Sequence, residues 1–334
     1  MVNGCVAWPP KNGSKRHETK VFDSRQGFCD IPAFSLVGRR AQGGPILKFL
    51  PLILIMAFPT MAQERTVDPT WLHRYVPEVA EAASKMASPT CHYQPIFGEG
   101  DHQANAIQSV TRFAEATIDP NGTCQIVDYD REEELYFILQ GSAVLHYGNE
   151  KRPMQANDFT YLAPGTEHSL ANTAPGPLRV LVMGFKIPAA ASIGKSALQP
   201  KIVNLDAVKE ETVSGHPTSV LYKLLAGPRT GQRDAIDDAY VITSFFLMDF
   251  APGGTNFPHH HETAEEIYLV LDGEGQMVAG SGIDGVEGRF PARAGDAYYF
   301  RPNCTVGFYN QNKPGAKAHI LAVRSKVPLP RDAD

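Results

Sequence analysis

Three consecutive histidines, His259, His260 and His261, precede Glu266 by a few residues. In extended backbone, successive side chains point to opposite sides, so His259 and His261 share one side and His260 takes the other. A turn after His261 can return the chain, so that Glu266 begins a neighbouring strand and its carboxylate approaches both imidazoles. Two imidazoles and one carboxylate suit a divalent metal with open coordination positions. The spacing therefore predicts a metal site with His259, His261 and Glu266 as ligands.

Two further points bear on this site. Tyr268 shares a strand face with Glu266, so its hydroxyl is a candidate catalytic group beside the metal. The alternative interpretation of three adjacent histidines is a solvated loop, or an adventitious ion site with no function. The glycines that bracket the motif and the β-rich surroundings favour the metal site.

The segments that must position these side chains are short β-type runs separated by Gly, Pro, Asn and Asp. They form two copies: residues 133–141 match residues 265–273, and residues 155–172 match residues 293–310. The repeat predicts an all-β fold of two tandem barrels or jelly rolls. We expect the following organisation: a helical lead-in over residues 63–90, an N-terminal barrel over 91–190, a linker over 191–200 and a C-terminal barrel over 201–330.

The residues before the repeat suggest export. The 334-residue chain carries 31 basic and 36 acidic residues, a net charge of −5, which argues against nucleic acid as the main partner. No apolar run is long enough to span a membrane. Residues 49–58 are apolar, follow basic residues and precede small ones, an order typical of a secretory signal peptide around residues 37–62. This predicts a start downstream of Met1, an exported protein and an allowed Cys91–Cys124 disulfide; the alternative is a buried helix.

The spacing Gly253-x5-His259-x-His261-x4-Glu266-x6-Gly273 resembles the first metal motif of the cupin superfamily. The resemblance covers roughly residues 90–325 and implies a bicupin, with two cupin jelly-roll barrels in one chain.

Other positions depart from the cupin pattern. Val306 stands where cupins present a fourth ligand, and His319 and Tyr309 are the candidates to replace it. Arg301 replaces a usual proline at the barrel rim, where it could attract a carboxylate substrate; the alternative is an ordinary surface arginine.

The N-terminal copy departs further from the pattern. Val127 and Tyr129 stand at the two histidine positions, and Glu134 and His168 are retained. We therefore expect this barrel to bind no metal, or to bind one weakly. His168 on its own is more typical of a hydrogen-bonded core histidine than of a ligand.

The resemblance implies a metal-dependent function. The ion would be Mn²⁺ or Fe²⁺ first, with Zn²⁺ or Ni²⁺ as alternatives. We predict an enzyme that converts a small polar or carboxylate-bearing molecule, with Glu266, Tyr268 and Arg301 as catalytic residues. The chemistry is either dioxygenase-like or like that of ureidoglycine aminohydrolases, bicupins that this chain distantly resembles. Oxalate decarboxylases are also bicupins, but they carry a full ligand set in each half. The alternatives are a non-catalytic ligand- or metal-binding protein and a structural scaffold; a homo-oligomer stays open.

Overall fold

The computed structural model describes residues 69–102, 106–194, 199–280 and 287–327. The predicted signal peptide and the rest of residues 1–62 lie outside the described residues. In the part of the chain that is described, no helix is long and apolar enough to cross a membrane.

The described residues form strands and two short 3-10 helices, Val76–Glu78 and Leu205–Ala207. The strands of the first half are β1 (Trp71–Tyr75), β2 (Cys91–Gly98), β3 (Val110–Ile118), β4 (Glu132–Gln140), β5 (Ser142–Tyr147), β6 (Glu150–Gln155), β7 (Asp158–Leu162), β8 (His168–Asn172) and β9 (Leu178–Lys186). Those of the second half are β10 (Ile202–Asn204), β11 (Glu210–Glu211), β12 (Val220–Pro228), β13 (Ile236–Ala239), β14 (Ile242–Phe250), β15 (Ala264–Asp272), β16 (Glu274–Gly280), β17 (Glu287–Arg293), β18 (Asp296–Phe300), β19 (Thr305–Asn310) and β20 (Ala318–Lys326).

Each barrel pairs a large sheet with a three-stranded one, and the large sheets exchange one edge strand between the halves of the chain. In the N-terminal barrel, the sheet β10-β7-β4-β9-β3-β2, which takes β10 from the second half, accompanies β6-β5-β8. In the C-terminal barrel, β1-β18-β15-β20-β14-β12-β11, which takes β1 from the first half and has β13 beside β12, accompanies β17-β16-β19. Each pair encloses its own apolar core, drawn from both sheets, and a third apolar core lies between the two large sheets. The predicted all-β fold of two tandem jelly-roll barrels is confirmed.

The central strands β4 and β15 are buried on both faces. Along β15, Tyr268 packs inside its barrel, whereas Ile267 and Leu269 pack in the core between barrels. This alternation sends the two glutamates of each Glu-Glu pair in opposite directions. Glu134 and Glu266 point into the barrels, and Glu133 and Glu265 point across to the other barrel.

The outward glutamates join the barrels reciprocally. Glu133 accepts hydrogen bonds from the backbone N–H groups of residues 240–242, at 2.6–2.9 Å. Glu265 accepts hydrogen bonds from the N–H groups of Gln108 and Ser109, at 2.6 and 2.8 Å. A buried carboxylate is costly unless it is hydrogen-bonded, and here several donors satisfy each one. The contact between the barrels is therefore polar at two points within an apolar interface.

The predicted helical lead-in over residues 63–90 is wrong. Within it, β1 pairs antiparallel with β18 of the second barrel, and the chain continues through one 3-10 turn at Val76–Glu78. Further on, the N–H of Ala82 bonds the carbonyl of Tyr93 on β2, 2.9 Å away. A short alanine-rich segment is a marginal helix by itself, and the residues before it find hydrogen-bond partners on the open edge of β18.

The disulfide allowed by the sequence is present. Cys91, at the start of β2, is bonded to Cys124 in the loop before β4. It joins the edge strand of the first large sheet to that loop.

Candidate metal centre

The structure brings the three predicted ligands together. His259 forms an isolated antiparallel β-bridge with Val306 on β19. The N–H of each residue donates to the carbonyl of the other, at 2.9 and 2.8 Å. His261 follows two residues later, and Glu266 is the third residue of β15. One donor atom from each of His259, His261 and Glu266 lies within 4.8 Å of the other two.

His259 is held with a ligand nitrogen available. Its Nδ1 lies 2.8 Å from the carbonyl oxygen of Phe257. A carbonyl oxygen can only accept, so Nδ1 carries the proton and Nε2 keeps its lone pair. Burial lowers the pKa of His259 to about 4, although the charge of Glu266 opposes this effect. The imidazole is therefore neutral near pH 7, the state that a metal requires.

Glu266 supplies a buried negative charge. Its side chain is only 2 % exposed, and Oε2 lies 3.1 Å from Nε2 of His261. Burial raises the pKa of Glu266, but His261 and Arg324 outweigh burial and bring the pKa down to about 2. A buried, ionised carboxylate beside imidazole nitrogens fits a cation. The cluster is a candidate site for a divalent metal.

The cavity beside this cluster contains basic side chains that the sequence analysis missed. It has a volume of about 50 Å³ and is lined by His259 and Glu266 together with Arg233, Arg324 and His216. The Nη1 of Arg324 lies 3.0 Å from Nε2 of His261, and its Nε donates to the hydroxyl of Thr243 at 3.2 Å. Among the described residues, no carboxylate forms an ion pair with Arg324.

A signal for Arg324 exists in the sequence. Ala318, Ile320 and Ala322 alternate along β20 and pack inside the barrel. Arg324 continues the same face, so a charged residue stands at the end of an apolar interior row. His216 and Arg233 lie in loops, where no periodicity marks a side chain as inward-facing.

Tyr268 lies where the prediction placed it. It lines the cavity, and its hydroxyl lies 3.0 Å from Nδ2 of Asn256, which donates to it. Burial raises the pKa of Tyr268 well above its usual value, so the phenol keeps its proton. A hydroxyl donor therefore stands beside the metal ligands; its catalytic role stays a prediction.

The other candidates do not reach the cavity. Arg301 is not among the residues that line it, and its backbone N–H bonds Thr70. His319 points from the opposite face of β20 and lies 3.7 Å from a carboxylate oxygen of Asp249. The ring of Tyr309 lies under Arg289, 4.1 Å away. Neither His319 nor Tyr309 belongs to the ligand cluster, so the expectation that one of them replaces the ligand absent at Val306 is wrong.

In the N-terminal barrel, Glu134 contacts an arginine and a histidine. Arg112 donates to Oε1 of Glu134 at 3.0 Å, and Nε2 of His168 lies 2.7 Å from Oε2 of the same carboxylate. The guanidinium also lies 3.7 Å from the ring centre of Tyr129, which stands at a histidine position of the other copy. Burial raises the pKa of Glu134, but His168 and Arg112 outweigh it and lower that pKa. Protein cations thus neutralise this carboxylate.

The structure defines the class of the protein as a double jelly-roll chain with an inward-facing His-His-Glu cluster in one barrel. The family model described as "Cupin domain" matches residues 114–184 and 246–323, once in each barrel. Each of the two barrels therefore contains a region that matches a cupin domain.

Similar proteins support this assignment. An oxalate-binding protein of Thermotoga maritima is 30% identical over 71 residues, 21% of this chain and 59% of that protein. The chain spans less than three fifths of the length of the curated relatives it matches. A putative glyoxylate induced protein of Pseudomonas aeruginosa has a TM-score of 0.60 at 14% identity, over 77% of this chain and 89% of that one. Oxalate decarboxylase of Lactobacillus farciminis, in a formate complex, gives 0.57 at 11% identity, over 77% and 86%. At these identities the structural likeness concerns the fold alone.

Proposed function

We propose that this chain is a bicupin and a metal-dependent enzyme that converts a small carboxylate-bearing molecule in its C-terminal barrel. His259, His261 and Glu266 would hold the ion, with Mn²⁺ or Fe²⁺ first in order and Zn²⁺ or Ni²⁺ as alternatives. One observation carries the proposal: Arg324, which forms no ion pair within 4.0 Å with a described carboxylate, lies in the same small cavity as the ligand cluster. A guanidinium beside a metal site favours an anionic ligand.

The cavity limits the size of the ligand. With a volume of about 50 Å³, it accepts a molecule of few non-hydrogen atoms. Two similar proteins are associated with small carboxylates: one is an oxalate-binding protein, and the crystal structure of the other contains formate.

Each side chain has a distinct part in this proposal. A bound divalent metal supplies Lewis acidity and open coordination positions. Arg324 would hold the carboxylate of the substrate, and Tyr268 would donate its phenol proton in a hydrogen bond to the substrate. Glu266 stays ionised and His259 neutral near pH 7, so both keep their lone pairs for the ion. The reaction is either dioxygenase-like or aminohydrolase-like.

A non-catalytic carboxylate-binding protein is the second candidate. The similarity to an oxalate-binding protein favours it, because the same cation and guanidinium would bind an anion without turning it over. The two candidates differ in whether a bound carboxylate is consumed.

Export remains part of the proposal. A leader around residues 37–62 would carry the chain across a membrane, and the Cys91–Cys124 disulfide is typical of oxidising compartments.

The first experiment measures metal and turnover together. The full chain is purified without a polyhistidine tag, beside a His259→Ala/His261→Ala double variant and a His260→Ala control. Elemental analysis should give about one metal per chain in wild type and control, and none in the double variant. Formate, oxalate and glyoxylate are then tested for binding by calorimetry, and for oxygen consumption and CO₂ release. A wider panel of amino- and ureido-carboxylates is tested for ammonia release.

The outcomes separate the candidates. Turnover that Arg324→Gln weakens mainly through KM supports the enzyme and the placement of the carboxylate. Binding of a carboxylate without consumption by any assay favours the binding protein. Absence of stoichiometric metal in the wild type overturns both.

A further inference from the structure

The metal cluster lacks a ligand on the side of β19. Val306 is buried and bridges the backbone of His259, so an aliphatic side chain is the cross-strand neighbour of a candidate ligand. The triplet His259, His261 and Glu266 leaves coordination positions open for a further donor. His216, in the loop before β12, is such a donor, and it lines the same cavity.

His216 is oriented in the same way as His259. Its Nδ1 lies 3.0 Å from the carbonyl oxygen of Asn256, so Nδ1 carries the proton and Nε2 keeps a lone pair. Asn256 is itself fixed within the barrel, because its side chain bonds Tyr268 at 3.0 Å and the N–H of Phe308 at 2.8 Å. The backbone that orients His216 is therefore rigid.

The ring positions match imidazoles that share one ion. The ring centres of His216 and His259 lie 5.3 Å apart at an interplanar angle of 76°. Those of His259 and His261 lie 5.0 Å apart at 81°. Imidazoles bound at about 2.0–2.1 Å have ring centres about 5 Å apart when their bonds to the ion make a roughly tetrahedral angle. His216 lies outside the triplet whose donor atoms are all within 4.8 Å of one another, so its Nε2 must move closer when an ion binds.

We propose that His216 is a further metal ligand, a third imidazole supplied by the loop before β12 in place of the ligand absent at Val306. The inference rests on the proposed metal site. The centre would then hold three imidazoles and one carboxylate.

The test counts imidazole nitrogens on bound Mn²⁺. Pulsed EPR of the Mn²⁺-loaded chain should show three imidazoles in the wild type and in His260→Ala, whose side chain is exposed. The spectrum should show two imidazoles on Mn²⁺ in His216→Ala and in His216→Gln. The glutamine keeps much of the volume of the histidine side chain. The Kd for Mn²⁺, from calorimetry, should rise at least about tenfold in both His216 variants. Circular dichroism checks that each variant is folded.

Two imidazoles in the wild type, or an unchanged count and Kd in the His216 variants, overturn the inference. If the wild type nevertheless binds one Mn²⁺ and consumes a carboxylate, the proposed function stands and only the role of His216 fails. If the wild type binds no Mn²⁺, or His259→Ala/His261→Ala binds it equally well, the proposed site fails and this inference fails with it.

Discussion

The backbone next to His259 is strained. Phe257 has a φ of 54°, and the other non-glycine residues with positive φ in the described part of the chain are Asn121, Asn157 and Asn303. A left-handed conformation costs a residue with a β-carbon about 1–2 kcal/mol, and asparagine tolerates it best. The carbonyl of Phe257 accepts the Nδ1 proton of His259. The strain therefore lies where it orients a metal ligand.

Phe257→Asn should relieve part of this strain without moving the carbonyl. The side chain is 49% exposed, so its loss removes little packing. We expect the free energy of unfolding in urea to rise by up to about 1 kcal/mol, with Mn²⁺ affinity unchanged. Ile126→Asn is the matched control, because Ile126 is also an exposed apolar residue, at 68%, and has no positive φ. Equal changes in the two variants would show that the backbone strain is absent.

The buried imidazole of His259 predicts acid sensitivity of the metal-free protein. Burial depresses the pKa of His259 from 6.5 to about 4 in the folded state. Between these values the unfolded chain binds a proton that the folded chain does not, so this contribution to stability is present above pH 6.5 and is lost as the pH falls towards 4. A shift of this size corresponds to on the order of 3 kcal/mol.

The measurement compares urea unfolding of the chelated wild type and His259→Gln from pH 7 to pH 4. The stability of the wild type relative to the variant should fall across that range. His260→Gln should follow the wild type, since its side chain is exposed. A constant difference between wild type and His259→Gln at every pH would contradict the prediction.

At the scale of strands, the two adjacent glutamates in β4, and likewise in β15, have different roles. The inward glutamate of each pair contacts side chains inside its own barrel, and the outward glutamate accepts hydrogen bonds from the other barrel. Glu265 receives hydrogen bonds from Gln108, Ser109 and the hydroxyl of Tyr299, the last at 2.6 Å. Removing the carboxylate leaves buried donors without an acceptor.

Glu265→Ala should therefore lower the free energy of unfolding by about 3 kcal/mol or more, and Glu265→Gln by less, because an amide oxygen still accepts. Glu262→Ala, at an exposed position in the preceding turn, should change it by less than about 0.5 kcal/mol. Urea unfolding measures all three. If Glu265→Ala costs no more than Glu262→Ala, the polar contact does not join the barrels.

At the scale of the whole molecule, the two barrels share a fold and differ in charge balance. In one barrel Glu134 pairs with the guanidinium of Arg112 as well as with the imidazole of His168; in the other, the described ion pair of Glu266 is with an imidazole. The duplicated chain should therefore bind one divalent ion, not two.

Elemental analysis at saturating Mn²⁺ should give about one ion per chain for the wild type. Glu134→Gln should still give one, because that carboxylate is neutralised by protein groups. Glu266→Gln should bind Mn²⁺ more weakly, because the buried charge opposite the ion is gone. Two ions in the wild type, with one lost in Glu134→Gln, would mean that Arg112 moves aside for a metal.

Sequence spacing was sufficient for the duplicated fold and for the ligand triplet. Strand alternation and a turn after His261 are local properties, so the positions of His259, His261 and Glu266 along the chain determine which side chains meet. The repeat of residues 133–141 in residues 265–273 likewise predicts two barrels, because each copy contains the turns and the inward-facing apolar side chains of a barrel.

Only the tertiary structure decided what surrounds that triplet. β1 pairs with β18 instead of forming a helix, because an open strand edge is far away in sequence and leaves no mark on local spacing. For the same reason Arg324 and His216, and not Arg301, line the cavity: which loop or distant strand closes a barrel depends on packing between segments. Local periodicity determines the face of the strand on which a side chain lies, whereas long-range strand pairing determines which distant segments pack against that face.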